Sequence, residues 1–131
     1  MAIEAALLAP VIVTFVLLAV AAGRLQTAAG TVDAAARAGA RTASITRTAD
    51  EVEKAARKAT DEVLRQDGVS CNKLEVTLTK GMLDTPGGQL ATMTVTVTCD
   101  VGLSDLVVAG LPGSKTLTGR FTSVVDRYRG Q

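Results

Sequence analysis

The sequence predicts an α+β fold in which a long N-terminal α-helix packs by its C-terminal half on a three-stranded antiparallel sheet. Two observations support this prediction. The first 66 residues combine apolar and alanine-rich stretches with a single proline, a composition typical of helices. After residue 68 apolar residues alternate with threonine, which is typical of strands that bury one face. At 131 residues, the chain is long enough for one domain of ordinary size.

Residues 5–23 form an uncharged apolar run, preceded only by the acidic Glu4. These 19 residues, at about 1.5 Å of rise each, match a bilayer core of roughly 30 Å. The alternative is a cleavable secretory signal, but such signals begin with a basic segment and have a shorter apolar stretch. We therefore predict a transmembrane or filament-core helix over residues 1–23. Because orientation normally relies on cytoplasmic Lys and Arg, the missing basic flank is explained if a basic leader was removed.

Residues 24–67 are predicted to continue this helix, first as a stem and then as the half that packs on the sheet. In the second part, apolar residues recur at spacings of four and three and form one stripe. The stripe consists of Ile45, Ala49, Val52, Ala56, Ala59 and Val63. Asp67-Gly68 is predicted to end the helix, with the glycine near the C′ position.

Ala35 and Gly39 lie one helical turn apart and are the candidate helix-packing residues. Small side chains at this spacing let another helix approach closely, although high helix propensity alone explains the alanines equally well. No predicted strand is long enough to cover residues 24–44. We therefore expect neighbouring subunits to cover this stretch.

Residues 68–131 are predicted to form an antiparallel β domain. Two alternating stretches, residues 74–78 and 93–97, flank a turn-rich connection over residues 81–89 and so predict a hairpin. Pairing apolar residues across the hairpin sets Val76 opposite Val95. Residues 115–128 predict a third strand, which Gly119 either weakens or marks with a bulge.

Cys71 and Cys99 flank this hairpin and are the candidate disulfide. An exported chain with two cysteines favours a bridge between them, whereas a reduced buried pair is expected if the domain faces the cytoplasm. The predicted register sets Asn72 opposite Cys99. Cys71 should therefore lie in the turn before the strand, unless a bulge shifts it.

The composition leaves few residues for catalysis or metal binding. The chain contains no histidine, which excludes histidine-based triads and histidine metal ligands. Two cysteines cannot complete a four-thiolate zinc site, and EF-hand, P-loop, GxGxxG and GxSxG motifs are absent. We therefore expect no enzyme activity, no cofactor and no metal. A net charge of +1 and the scarcity of aromatic residues give no indication of nucleic acid binding.

The N-terminal sequence MAIEAALLAPVIVTFVLLAVAAGR resembles the N-termini of TadE/TadG-like pilins, which are type IV pilin-like proteins of bacterial tight-adherence pilus systems. The resemblance rests on Ala2-Ile3-Glu4, on Pro10 within the apolar helix and on Gly23-Arg24 at its end. Leu111-Pro112-Gly113, before the last predicted strand, is also similar. The resemblance implies a pilin-like fold and a structural subunit that polymerises through its N-terminal helix, first in the cell membrane and then in an extracellular filament.

The resemblance also implies several partners: identical subunits, the membrane before assembly, a prepilin peptidase and the pilus assembly machinery. The peptidase of such systems cuts after a glycine and leaves glutamate at the fifth mature position, whereas Glu4 is fourth here. The alternatives to a filament subunit are a membrane-anchored extracytoplasmic binding module and a minor pseudopilin of a secretion or assembly machine.

Glu4 and Pro10 are the candidate assembly residues. A carboxylate in an apolar helix bundle is costly unless paired. Pairing of Glu4 with a free α-amino group, its own or a neighbour's, would select the axial register of the subunits in a filament. The alternative is that Glu4 is only a solvated residue beside a membrane span. Pro10 lacks an N–H and clashes with the carbonyl of Ala6. The resulting kink or local melting would let the segment leave the bilayer, unless this is only a tolerated membrane-helix proline.

Overall fold

The computed structural model describes residues 2–106 and 112–125. Its elements are α1 (Ala2–Ile45), α2 (Ala49–Gln66), β1 (Lys73–Thr85), β2 (Gly88–Gly102), α3 (Leu103–Leu106) and β3 (Ser114–Val124). The strands form one antiparallel sheet in the order β1-β2-β3, and the C-terminal half of α1 packs on it. The predicted fold class, a long N-terminal helix on a three-stranded antiparallel sheet, is confirmed.

The prediction of one continuous helix over residues 2–66 is wrong, because the chain leaves the helical conformation at residues 46–48. Thr48 has extended dihedral angles, φ −95° and ψ 126°, and is the N-cap of α2. Its hydroxyl donates to the Glu51 carboxylate at 3.2 Å, and the two residues have the spacing of a capping box. After this break α2 folds back against α1. It ends where predicted, at Gln66, and is followed by Gly68 with a φ of +73°.

The C-terminal half of α1, rather than α2, makes the main helical contact with the sheet. The buried residues of α1 are small and recur every three or four positions. They are Ala28, Thr31, Val32, Ala35, Ala36, Gly39, Ala40 and Ala43. α2 lies beside α1 and buries Ala56, Thr60 and Leu64. The expectation that neighbouring subunits cover residues 24–44 is therefore wrong for this face, which the chain's own sheet and second helix cover.

The hairpin is longer than predicted, and its register differs by two residues. β1 and β2 extend through the predicted connection over residues 81–89 and are joined by the two-residue turn Pro86-Gly87. Val76 lies opposite Val97, not opposite Val95. Because side chains alternate between the two faces of a strand, a shift of two residues leaves each side chain on its predicted face.

β3 pairs with β2 in continuous register, with Gly119 opposite Val97, so of the two alternatives for Gly119 the bulge is excluded. A Cβ atom at Gly119 would lie 2.7 Å from the carbonyl oxygen of Val32 in α1. The glycine is required because the helix backbone lies directly against the strand. Leu111 and the predicted strand residues beyond 125 lie outside the described residues.

Candidate functional site

The N-terminal part of α1 extends away from the core, and its large apolar side chains are exposed in the described chain. Ile3 is 77% exposed, Leu7 69% and Phe15 72%. The other large apolar residues of this segment that are exposed are Leu8, Val11, Ile12, Val13, Val16, Leu17, Leu18 and Val20. α1 is long and apolar enough to cross a membrane, and none of its most apolar 18-residue window is buried by the described residues. An apolar surface of this extent marks contact with a membrane or with another protein.

The exposed and buried halves of α1 belong to one uninterrupted helix of 44 residues. Gly23 and Gly30 lie between the two halves and are both helical. The Thr27 hydroxyl donates to the Gly23 carbonyl at 3.0 Å, and the helix continues through both glycines. At about 1.5 Å per residue the helix is about 66 Å long. The apolar segment is therefore held by the folded domain rather than joined to it by a loop.

Glu4 lies in the first turn of α1 and is exposed. A negative charge in the first turn interacts favourably with the helix dipole. Neither of the two ion pairs between described residues includes Glu4. Any apolar environment that covers Ile3 and Leu7, which lie within one helical turn, also surrounds this carboxylate. Its pairing with an α-amino group stays a prediction.

Pro10 lies inside α1, which is helical on both sides of it. The Thr14 hydroxyl donates to the Pro10 carbonyl oxygen at 2.7 Å. Proline has no N–H to donate to the carbonyl of Ala6, which makes this turn the weakest point in the backbone hydrogen bonding of the apolar segment. Whether the helix kinks or melts here when it leaves a bilayer stays a prediction.

Ala35 and Gly39 are buried where α1, α2 and β2 meet. The Thr60 hydroxyl in α2 donates to the Ala35 carbonyl at 3.4 Å. A Cβ atom at Gly39 would lie 2.7 Å from that hydroxyl oxygen and 3.3 Å from Cγ1 of Val95. These two small residues therefore accommodate elements of the same chain.

A disulfide joins Cys71 to Cys99, 28 positions apart, with Cα atoms 5.3 Å from each other. Cys71 lies in the turn before β1, the first of the two placements that the sequence left open. Cys99 is fully buried and lies opposite Leu74 rather than Asn72. The bridge ties the beginning of the hairpin to its end at the edge of the core.

A crevice of about 570 Å³ lies where the apolar run of α1 ends, between α1 and the segments around the end of α2 and α3. Its walls carry the cation Arg24 and the carboxylates Asp67 and Asp105. The Thr31 hydroxyl lies within donor distance of two acceptors, the Thr27 carbonyl at 3.1 Å and Oδ2 of Asp67 at 3.3 Å. The second contact links α1 to the end of α2. No sequence pattern reveals this crevice, because its charged residues are far apart in the chain and meet only through the fold.

The fold and the exposed helix define a class of protein, in which a small disulfide-linked α+β domain is carried on an apolar N-terminal helix. The sequence model of the TadE-like protein family matches residues 1–41. This match confirms the resemblance predicted from the first 24 residues and indicates a component associated with Tad pili. No curated protein and no solved structure matches the chain.

Proposed function

We propose that this chain is a structural pilus subunit, which inserts in the membrane through the N-terminal part of α1 and then polymerises through the same segment into an extracellular filament. The observation that carries this proposal is the exposure of the large apolar residues between Ile3 and Val20, which no described part of the chain covers. Removing apolar surface from water contributes about 25 cal/mol per Å². The segment is therefore stable only where lipid or other helices cover it. The TadE-like match over residues 1–41 supports the pilus.

The environment of the Glu4 carboxylate differs between a membrane and a fibre. In a membrane the carboxylate lies at the end of the apolar run and can reach the polar interface. In a fibre the apolar segments cover one another, and an enclosed carboxylate without a partner costs several kcal/mol. A free α-amino group, on the same or a neighbouring subunit, offsets this cost only when the helices are aligned. In this proposal the prepilin peptidase generates that amino group, and the assembly machinery extracts the subunit from the bilayer.

The substitution Glu4→Ala tests this role. We expect the variant to insert in the membrane as the wild type does, measured by membrane fractionation, and to give almost no filaments by negative-stain electron microscopy. Glu4→Gln should fail in the same way, because it keeps the shape of the side chain but not its charge. Glu62→Ala, at an exposed glutamate of α2, is the matched control and should assemble normally. Normal filament yield from Glu4→Ala would refute the role of this carboxylate in setting the register.

A membrane-anchored binding module is the second candidate. It is favoured by a groove of about 450 Å³ between the α1–α2 connection and the middle of the hairpin, lined in part by the 64% exposed Met82. Removal of detergent from the purified chain distinguishes the two candidates. A filament subunit gives threads visible by electron microscopy, whereas a binding module enters lipid vesicles and gives none. A minor pseudopilin would join fibres of another subunit in few copies, which quantitative mass spectrometry of purified filaments measures.

A further inference from the structure

We propose that the crevice lined by Arg24, Asp67 and Asp105 binds the headgroup of phosphatidylethanolamine, the class of phospholipid that joins a phosphate to a primary ammonium group. This inference rests on the membrane insertion in the proposed function and does not depend on polymerisation. The site belongs to the subunit before assembly, while residues 5–23 of α1 still lie in the bilayer.

The position of the crevice along α1 places it at headgroup level. The apolar run ends at Gly23, and the lining residues of α1 begin at Val20 and continue through Arg24 to Thr31 along one face of the helix. From Ile3 to Arg24 the helix rises about 32 Å, which matches a hydrocarbon core of roughly 30 Å. Arg24 therefore reaches the phosphate layer, and Val20, one turn below it, meets the first part of the acyl chains.

Arg24 supplies the group that binds phosphate. Its guanidinium is always charged and presents a planar fork of donors that matches two phosphate oxygens. None of the ion pairs between described residues joins Arg24 to either carboxylate of the crevice. The side chain is exposed, so a headgroup can reach it from the membrane surface.

Asp67 and Asp105 supply the groups that bind the ammonium. Asp67 is the C-cap of α2, and the carbonyl end of a helix adds negative potential that favours a cation beside it. Oδ2 of Asp67 lies 3.3 Å from the Thr31 hydroxyl, whose single proton is shared with the Thr27 carbonyl at 3.1 Å. At least one oxygen of the Asp67 carboxylate is therefore left for the ammonium. Arg65, the basic residue nearest to Asp67 in the sequence, pairs instead with Asp61 at 3.7 Å.

The arrangement of charges distinguishes among common lipids. Phosphatidylethanolamine has an anion for Arg24 and an N–H donor group for the two carboxylates. Phosphatidylglycerol has the phosphate but brings no cation to the carboxylates. Phosphatidylcholine has a cation, but its methylated ammonium has no N–H to donate. Only the primary ammonium lipid therefore satisfies both walls of the crevice with charge-assisted hydrogen bonds.

The test uses the full chain in nanodiscs that contain equal amounts of the three lipids. Native mass spectrometry after release identifies the lipids that remain bound. We expect phosphatidylethanolamine to be enriched up to about fivefold over each of the others, because a charge pair between exposed groups such as Asp67, Asp105 and a headgroup ammonium contributes at most about that factor. The double variant Asp67→Asn/Asp105→Asn should lose the enrichment, and Arg24→Gln should lower the retention of all three lipids. Lys58→Gln, at an exposed cation of α2, is the control and should behave as the wild type.

Two results would overturn the inference. One is retention of the three lipids in proportion to their abundance. The other is preference for phosphatidylglycerol that grows in the double variant, which would indicate attraction to Arg24 alone. A chain that does not enter nanodiscs at all would contradict the membrane insertion in the proposed function. A chain that enters nanodiscs and forms filaments without selecting among lipids would contradict only the headgroup site.

Discussion

Replacing Gly119 with alanine tests the packing of α1 on the sheet. A Cβ atom at this position would lie 2.7 Å from the carbonyl oxygen of Val32, 2.8 Å from its carbonyl carbon and 3.0 Å from the Cα atom of Asp33. All three are backbone atoms of α1, so no rotation of a side chain can relieve the overlap. Non-bonded carbon contacts are normally about 3.5–4.0 Å. The helix and the strand must therefore move apart by about half an ångström or more.

Two effects of opposite sign determine the change in the free energy of unfolding. Alanine reduces the conformational freedom of the unfolded chain, which stabilises a protein by about 0.4–1 kcal/mol where the native conformation accepts it. Overpacking a close-packed site costs about 1–3 kcal/mol, occasionally more. Because the opposing atoms at Gly119 belong to a helix backbone, the upper part of this range or beyond applies. We expect a net loss of about 2 kcal/mol, which lowers Tm by about 6–12 °C in a chain of this size.

Thermal unfolding of the full chain in detergent, monitored by far-UV circular dichroism, measures this shift in Tm. Hydrogen exchange of the β2 amides measures the stability of the domain separately from that of the apolar helix. Gly30→Ala is the matched control, because a Cβ atom there meets nothing within 4 Å. In a helix interior it should stabilise by about 0.8–1 kcal/mol. A Gly119→Ala variant that unfolds at or above the wild-type temperature would show that α1 does not lie directly on β3.

Two further predictions concern the disulfide and the second helix. Reducing the Cys71–Cys99 bridge, which spans 28 positions, should destabilise the domain by about 3–4 kcal/mol, because the unfolded chain gains conformational entropy. Thermal unfolding with and without reductant measures this loss, and equal unfolding midpoints would contradict the prediction. Leu64→Ala, at a side chain that is 2% exposed, should cost about 2–5 kcal/mol. Leu83→Ala in the hairpin is the control, because this side chain is 50% exposed and its loss should change stability by less than about 0.5 kcal/mol. Equal effects of the two leucine variants would show that α2 does not fold back on α1.

The fold class was predictable because it depends on features that a single sequence displays directly. The change from helical to alternating periodicity after Gly68 separates the helices from the sheet. The apolar run over residues 5–23 identifies the exposed segment without reference to any contact. The faces of the strands were also predictable, since alternation alone assigns each side chain to one side of the sheet.

The register was not predictable from the same alternation. Val95 and Val97 have threonines on both sides, so a shift of two residues replaces one valine by another and leaves the pattern of the buried face unchanged. The turn decides between the registers. Pro86 and Gly87 close a two-residue connection, and Gly88 has a φ of +115°, which favours glycine. The cluster of turn-forming residues indicated a longer loop than the chain forms.

The break between α1 and α2 had a local signal that the high alanine content obscured. Thr48 and Glu51 have the capping-box spacing that marks the beginning of a helix, yet the alanines on both sides favour uninterrupted helix. The packing partners of Ala35 and Gly39 depend on this break. Small residues indicate that something approaches closely, but only the return of α2 decides that the close neighbour is the same chain.

The candidate assembly residues and the crevice differ in how far sequence reasoning reaches. Glu4 and Pro10 were identified because each is exceptional within a uniform apolar stretch, and both lie in the exposed part of α1. The crevice has no such contrast, because Arg24, Asp67 and Asp105 are ordinary polar residues until the fold brings α1, α2 and α3 together.

The two halves of α1 differ in side-chain size because they contact different neighbours. The exposed half carries large apolar residues that suit lipid or a bundle of like helices, whereas the buried half carries alanine, glycine and threonine that let its backbone lie against the sheet. Since each residue of a helix turns by about 100°, the face buried on the sheet fixes the direction of every side chain in the exposed half. In the proposed filament the packing of residues 3–20 therefore sets the orientation of each domain on the fibre surface. The length of helix between the two halves matters for assembly, although it has little effect on the fold of the domain.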